Sequence, residues 1–182
     1  MIRLFIGLEL PGEVSARLAL MAGGIPGARW VEARNLHVTL RFLGEVEEGL
    51  AAELDEALAA LSEPAFALAL DGFGTFGGRR RAHALWAGVE RTPALVHLRD
   101  KVDSTAVRLG LPPEARKFMP HVTLAWVKAS PIGRLQDHIA GNSPFHAGPW
   151  PVEHFTLFQS HLSRNGAEYE VLERYTLSSR GA

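Results

Sequence analysis

Hydrophobic positions along the chain fall into short runs whose period switches between two and about 3.6, the signature of strands alternating with amphipathic helices. Ile2 to Leu10 is apolar enough for a buried strand, and Pro11 follows where a helix begins without needing its N–H. Val14, Leu18 and Met21 then recur at helical spacing up to Gly23-Gly24. Arg29 to Val31 reads as a short strand and His37 to Leu43 as a stronger one. Between Glu47 and Ser62, Leu50, Leu54, Leu58 and Leu61 form one stripe with the acidic residues largely elsewhere, so a helix covering a sheet is expected. Phe66 to Leu70 and Ala84 to Val89 read as strands separated by a glycine- and arginine-rich loop from Gly72 to Arg81. Thr92 as N-cap and Pro93 at the first position open a helix that ends at Gly110. Beyond Pro112-Pro113 the pattern predicts a strand from His121 to Val127, a short helix over Ile132 to Ile139, and strands around Phe155 to Ser160 and Tyr169 to Leu177. Such alternation without long linkers favours a sheet covered by helices, α+β or α/β, over a bundle or an all-β sandwich.

One tetrad occurs twice. His37-Val38-Thr39-Leu40 returns as His121-Val122-Thr123-Leu124, each copy in a predicted strand with a helix later in the chain. Two copies at so long a period suggest two related half-lobes, not a solenoid. Side chains alternate across a strand, so His37 and Thr39 share one face while Val38, Leu40 and Phe42 share the other. The second copy sets His121 and Thr123 against Val122, Leu124 and Trp126. Each strand buries an apolar face and offers an imidazole and a hydroxyl opposite it.

Composition narrows the chemistry. The 182 residues fit one domain or two small lobes sharing a core, and 47% hydrophobic against 21% charged residues is ordinary for a globular chain. Lys plus Arg number 19 against 20 Asp plus Glu, which speaks against coating long nucleic acid by bulk charge while leaving room for a local basic cleft. The absence of cysteine excludes disulfides, thiolate nucleophiles and Cys-ligated metals. No stretch reads as a secretory signal or a membrane span, so a cytoplasmic protein is expected, and with no apolar seam, a monomer.

If two lobes bring the tetrads together, two imidazoles face one cleft. That pair suits in-line displacement at phosphorus, one accepting a proton from the attacking oxygen while the other protonates the leaving oxygen. Histidine fits because its ordinary pKa, about 6.5, lets both forms exist near neutrality. Threonine hydroxyls can hydrogen-bond the non-bridging oxygens. This set demands neither metal nor cofactor.

With these residues in view, the chain resembles the bacterial and archaeal RNA 2′,3′-cyclic phosphodiesterases, also called 2′-5′ RNA ligases, of the two-histidine phosphoesterase superfamily. The likeness runs from Arg3-Leu4-Phe5-Ile6-Gly7-Leu8-Glu9-Leu10-Pro11 through Arg29-Trp30-Val31 and the first tetrad with Arg41-Phe42-Leu43-Gly44. It continues in Leu85-Trp86-Ala87-Gly88-Val89, in Arg116, Phe118 and Pro120 before the second tetrad, and in Leu157-Phe158-Gln159-Ser160. The resemblance implies a bilobal, pseudo-symmetric α+β fold, with two antiparallel sheets flanked by helices around a central groove. Residues 1–182 would form one catalytic domain of two interleaved lobes. It implies metal-independent opening of RNA 2′,3′-cyclic phosphate ends to 2′-phosphates, with reversible 2′-5′ ligation and a place in RNA processing. His37 would be the proton donor and His121 the proton acceptor, with Thr39 and Thr123 on the phosphate; the symmetric tetrads themselves do not distinguish donor from acceptor. Many members carry an arginine two residues after the second tetrad, where this chain has Trp126. Arg41, on the predicted face of His37, is a phosphate-binding candidate, with Lys128 and Arg116 behind it.

Competing readings are another cyclic phosphate such as ADP-ribose 1″,2″-cyclic phosphate, a 2′-5′ linkage, or a non-catalytic module that binds RNA ends or nucleotides. The run Gly72 to Gly77 satisfies G-x-G-x-x-G, but an arginine triplet and a strand follow instead of the helix that a pyrophosphate site needs. Arg79-Arg80-Arg81 is expected as a solvated turn that could touch RNA. Phe73, Phe76 and Phe118 are candidates for stacking a terminal base. The six histidines outside the tetrads are read as structural or exposed.

Overall fold

A computed structural model describes residues 1–179 of the chain. Nine strands and four α-helices follow in the order β1 (Ile2–Glu9), α1 (Gly12–Ala19), β2 (Arg29–Trp30), β3 (His37–Val46), α2 (Glu48–Ala59), β4 (Phe66–Gly77), β5 (Arg81–Val89), α3 (Pro93–Arg108), β6 (His121–Pro131), α4 (Ile132–Asn142), β7 (His146–Val152), β8 (His154–Ser163) and β9 (Gly166–Thr176). All strand pairings are antiparallel. The order across the sheet is β7-β4-β5-β6-β3-β1-β8-β9, with β2 beside β6. The α+β class and its antiparallel strands match the sequence reading. Instead of two separate sheets, two four-stranded arrays join as halves of one sheet through a single pair, Val38 opposite Val122.

One face of this sheet is apolar. Leu4, Ile6 and Leu8 of β1, Val38 of β3, Leu85 and Ala87 of β5 and Val122 of β6 pack with helix residues Val14, Leu18, Leu54, Leu58, Leu95, Val102 and Leu135 in one contiguous core. Burying each such Leu or Val is worth about 1.5–3 kcal/mol, which fixes the register, since a slip of one residue would turn the whole set into water. The Thr92 hydroxyl accepts from the Leu95 amide at 3.2 Å, the cap expected for α3.

Two stretches depart from expectation. Gly72 to Gly77, read as a loop, continues β4, and the turn is confined to residues 78–80. The glycines serve a bulged strand: Gly72 has φ +68°, and a Cβ on Gly74 would lie 2.2 Å from the Trp86 indole. β7 is absent from the sequence reading because Pro149 and Pro151 interrupt its pattern. It lies at the sheet edge, where proline forfeits no ladder bond it needs.

Candidate active site

The meeting of β3 and β6 places the tetrads. Val38 and Val122 are fully buried partners, so in antiparallel register His37 comes abreast of Thr123 and Thr39 abreast of His121, all on the opposite face. All four side chains are partly exposed there. The structure therefore brings the four expected residues together on the open face of the sheet, around a local two-fold.

The two histidines are held alike. His37 Nδ1 lies 2.7 Å from the Asn35 carbonyl and His121 Nδ1 2.6 Å from the Met119 carbonyl, each two residues upstream. A carbonyl only accepts, so both Nδ1 atoms carry hydrogen and both Nε2 atoms are left to exchange a proton. The neutral His37 Nε2 accepts from the Thr39 hydroxyl at 3.0 Å. Burial pushes the His37 pKa down to about 4, the Asn35 carbonyl works against this, and the nearby His121 charge adds to the fall. Burial likewise lowers His121, opposed by the Met119 carbonyl. An anionic phosphate in the cleft would favour the charged forms.

Aromatic rings supply that burial. His37 touches Phe5 at 4.7 Å, Tyr169 edge-on at 5.1 Å and Phe158 at 6.0 Å between ring centroids. His121 meets Phe76 edge-on at 4.8 Å and Trp86 at 6.2 Å. Of these walls only Phe76 stands out in the sequence. Phe5 hides between Ile2, Leu4, Ile6 and Leu8, so β1 reads as apolar on both faces; its odd-numbered spacing, Arg3-Phe5-Gly7-Glu9, is the available signal.

Arg41 turns away from the tetrad face. Its Nε lies 2.8 Å from Asp103 and a terminal nitrogen 3.6 Å from Glu114, and it donates to the Pro112 carbonyl. The cause is a β-bulge. On β1, Gly7 pairs Thr39 and Ile6 pairs Arg41, leaving Leu40 unpaired. On β5, Trp86 pairs Thr123 and Leu85 pairs Ala125, leaving Leu124 unpaired. The extra residue inverts alternation beyond each tetrad. Arg41 and Ala125 turn inward, and Phe42 and Trp126, expected on the buried face, are instead 38% and 49% exposed. Of the weaker candidates, Arg116 pairs with Glu114 at 3.2 Å and Lys128 is exposed on β6.

Beside His121 a cavity of about 490 Å³ opens between Thr39, Phe42, Phe76, Arg116, Phe118 and Met119. Phe73 packs on Phe145 instead, at 4.8 Å. Among the other histidines, His97 meets Glu63 at 2.7 Å, His154 meets Glu9 at 2.9 Å, His161 meets Glu170 at 2.9 Å and His138 meets the Met21 carbonyl at 3.0 Å. Among the described residues no group of three His, Asp or Glu could hold a metal ion, and no helix is long and apolar enough to cross a membrane.

The model of the family described as "LigT like Phosphoesterase" matches the chain at residues 8–86 and 89–169. The chain is 36% identical over 160 residues, covering 87% of this chain and 90% of its relative, to a protein of Aeropyrum pernix named RNA 2′,3′-cyclic phosphodiesterase. It is 32% identical to the Escherichia coli protein of the same name, with 97% of each chain covered. Among solved structures, TT0787 of Thermus thermophilus superposes with a TM-score of 0.81 at 29% identity, covering 99% of this chain and 100% of that one. The Escherichia coli LigT complexed with 3′-AMP superposes with a TM-score of 0.77 at 31% identity, covering 97% and 98%.

Proposed function

The chain belongs to the LigT-like phosphoesterase family, and from that membership and the paired imidazoles we propose that it hydrolyses RNA 2′,3′-cyclic phosphate ends to 2′-phosphates, without a metal. The observation that carries this reading is the Val38–Val122 pair, which sets two Nε2-presenting histidines and two threonine hydroxyls on one face. His121 Nε2 takes a proton from water as the water oxygen bonds to phosphorus. His37 Nε2 gives its proton to the 3′ oxygen as the P–O3′ bond breaks. Thr39 and Thr123 donate to the non-bridging oxygens. Both imidazoles end the step with protonation exchanged, and bulk water restores them. With a 5′-hydroxyl in the place of water, the same step forms an O5′–P bond as P–O3′ breaks and joins ends through a 2′-5′ link; run backward, it opens that link to a cyclic phosphate. The division into two lobes is supported by the family model matching once over each tetrad.

The test is hydrolysis of an oligonucleotide ending in 2′,3′-cyclic phosphate in excess EDTA. Accumulation of a 2′-phosphate end is expected; no turnover, turnover restored only by added metal, or a 3′-phosphate product would overturn the reading.

The pH dependence follows from the shifts. Turnover needs one imidazole charged and one neutral, and kcat/KM reports the free enzyme. The active fraction rises as pH passes the lower pKa, about 4, and falls as it passes the higher, which lies below the ordinary 6.5. The maximum of kcat/KM is therefore expected on the acid side of neutrality whichever histidine donates. A maximum above pH 7 contradicts it.

A further inference from the structure

Arginines at and below the tetrad strands are engaged: the inward Arg41 with Asp103, Arg116 with Glu114, and Arg174 with Glu9 at 2.7 Å. Two are not. Among the described residues no carboxylate lies within ion-pair distance of Arg3 or Arg29.

Both belong to the face that carries the tetrads. On β1, Arg3 shares the side of Phe5, two residues and about 7 Å along the strand from the ring that touches His37. On β2, Arg29 is the register partner of Trp126 on β6, and cross-strand partners project to the same side. Each arginine is matched with an exposed aromatic ring. The Arg3 guanidinium lies over Phe42, 5.0 Å from its centroid, and Phe42 and Trp126 are the two residues that the bulges turn outward. Tyr169, edge-on to His37, feels both cations: burial raises its phenol, and the charges of Arg3 and Arg29 pull it back. Two guanidiniums without a carboxylate partner beside exposed rings, both acting on the tyrosine that touches His37, form a surface for phosphate and base together.

We infer that Arg3 and Arg29 hold the internal phosphodiester next to the terminal nucleotide, so that the site takes an oligonucleotide end in preference to a free mononucleotide. This rests on the proposed function and names its substrate class. The reacting phosphate is held by the threonines and Nε2 atoms; the arginines add a second anion site along the strand, with Trp126 and Phe42 as stacking surfaces for its bases.

The test is equilibrium binding, by calorimetry, of 2′-AMP and of the dinucleotide ApA carrying a 2′-phosphate, to the full chain and to Arg29→Gln and the Arg3→Gln/Arg29→Gln double variant. Wild type is expected to bind the dinucleotide about tenfold more tightly than 2′-AMP, as charge-assisted hydrogen bonds to one added phosphate would give. Arg29→Gln, at an exposed position, should lose about half of that advantage on a logarithmic scale and the double variant nearly all of it. The slope of log affinity against log salt for the dinucleotide should shrink by about 0.7 in the double variant, the contribution of the one phosphate released. Three results would overturn the inference: no wild-type preference for the dinucleotide, a preference intact in the double variant, or a loss of 2′-AMP affinity as deep as that of the dinucleotide, which would place the arginines on the reacting phosphate. Binding needs no turnover, so failure to hydrolyse a cyclic phosphate sinks the proposed function and leaves this measurement decisive on its own.

Discussion

Replacing either tetrad histidine, His37→Ala or His121→Ala, is expected to lower kcat on a cyclic-phosphate end by about a thousandfold, within the range for a positioned general acid or base. Two features of the site set that size. Each Nδ1 is committed to a backbone carbonyl, so each ring offers one nitrogen, and His154, which lies on the same side of the sheet along β8, is held by Glu9 at 2.9 Å. His97 and His161 are engaged by Glu63 and Glu170, and His138 by the Met21 carbonyl. The double variant should be little slower than either single one, because both groups act on one step and their losses do not add. Steady-state kinetics alongside circular dichroism checks this; a variant that is folded and within tenfold of wild type removes that histidine from the reaction.

The second large effect concerns stability. Arg41→Met should cost about 3 kcal/mol, because it leaves the Asp103 carboxylate beside a buried site without its cation and takes the more buried of two cations from Glu114. In a chain of this size that is a fall in melting temperature of roughly 6–12 °C. The damage should be concentrated in the segment between α3 and β6, since Arg41 also donates to the Pro112 carbonyl there. That segment leads to the Met119 carbonyl that orients His121, with Arg91 donating to the Phe118 carbonyl at 2.6 Å and Arg99 over the Phe118 ring at 5.4 Å as further ties. Glu114 keeps Arg116, the main cause of its carboxyl being held down to about 2, with Arg41 a smaller contributor. Thermal denaturation of Arg41→Met decides the point: a melting temperature within about 2 °C of wild type would show that the buried ion pair is not a fastening of this loop.

The histidines and threonines are legible because a strand's period of two is set by the backbone, and the repeat of His-Val-Thr-Leu tells which faces to compare. Arg41, Phe42 and Trp126 are misplaced for one shared reason. A bulge at Leu40 and another at Leu124 each insert an unpaired residue, and nothing in the local sequence marks them, since Leu fits the buried face on either side of the shift. β4 reads too short because glycine usually breaks a strand, whereas here Gly74 makes room for an indole on the neighbouring strand. β7 is hidden by its prolines, which an edge strand accepts. The helices are easier: the stripes of α2 and α3 need no partner to be recognised, and Leu54, Leu58, Leu95 and Val102 are all fully buried. Phe5, Phe158 and Tyr169 come from three strands, and only the fold shows that they surround one imidazole.

The account turns on two histidines with opposite protonation roles, and the pH profiles of the two variants separate them most directly. With His37 absent, residual kcat/KM depends on neutral His121 alone and should rise with pH to a plateau, having lost its alkaline limb. With His121 absent, it depends on charged His37 and should be highest at low pH, falling as pH rises through the His37 pKa, which loss of the His121 charge lifts from its wild-type position. Two one-sided profiles of opposite slope are the predicted result; bell-shaped profiles in both variants, or slopes of the same sign, would contradict a paired donor and acceptor at His37 and His121.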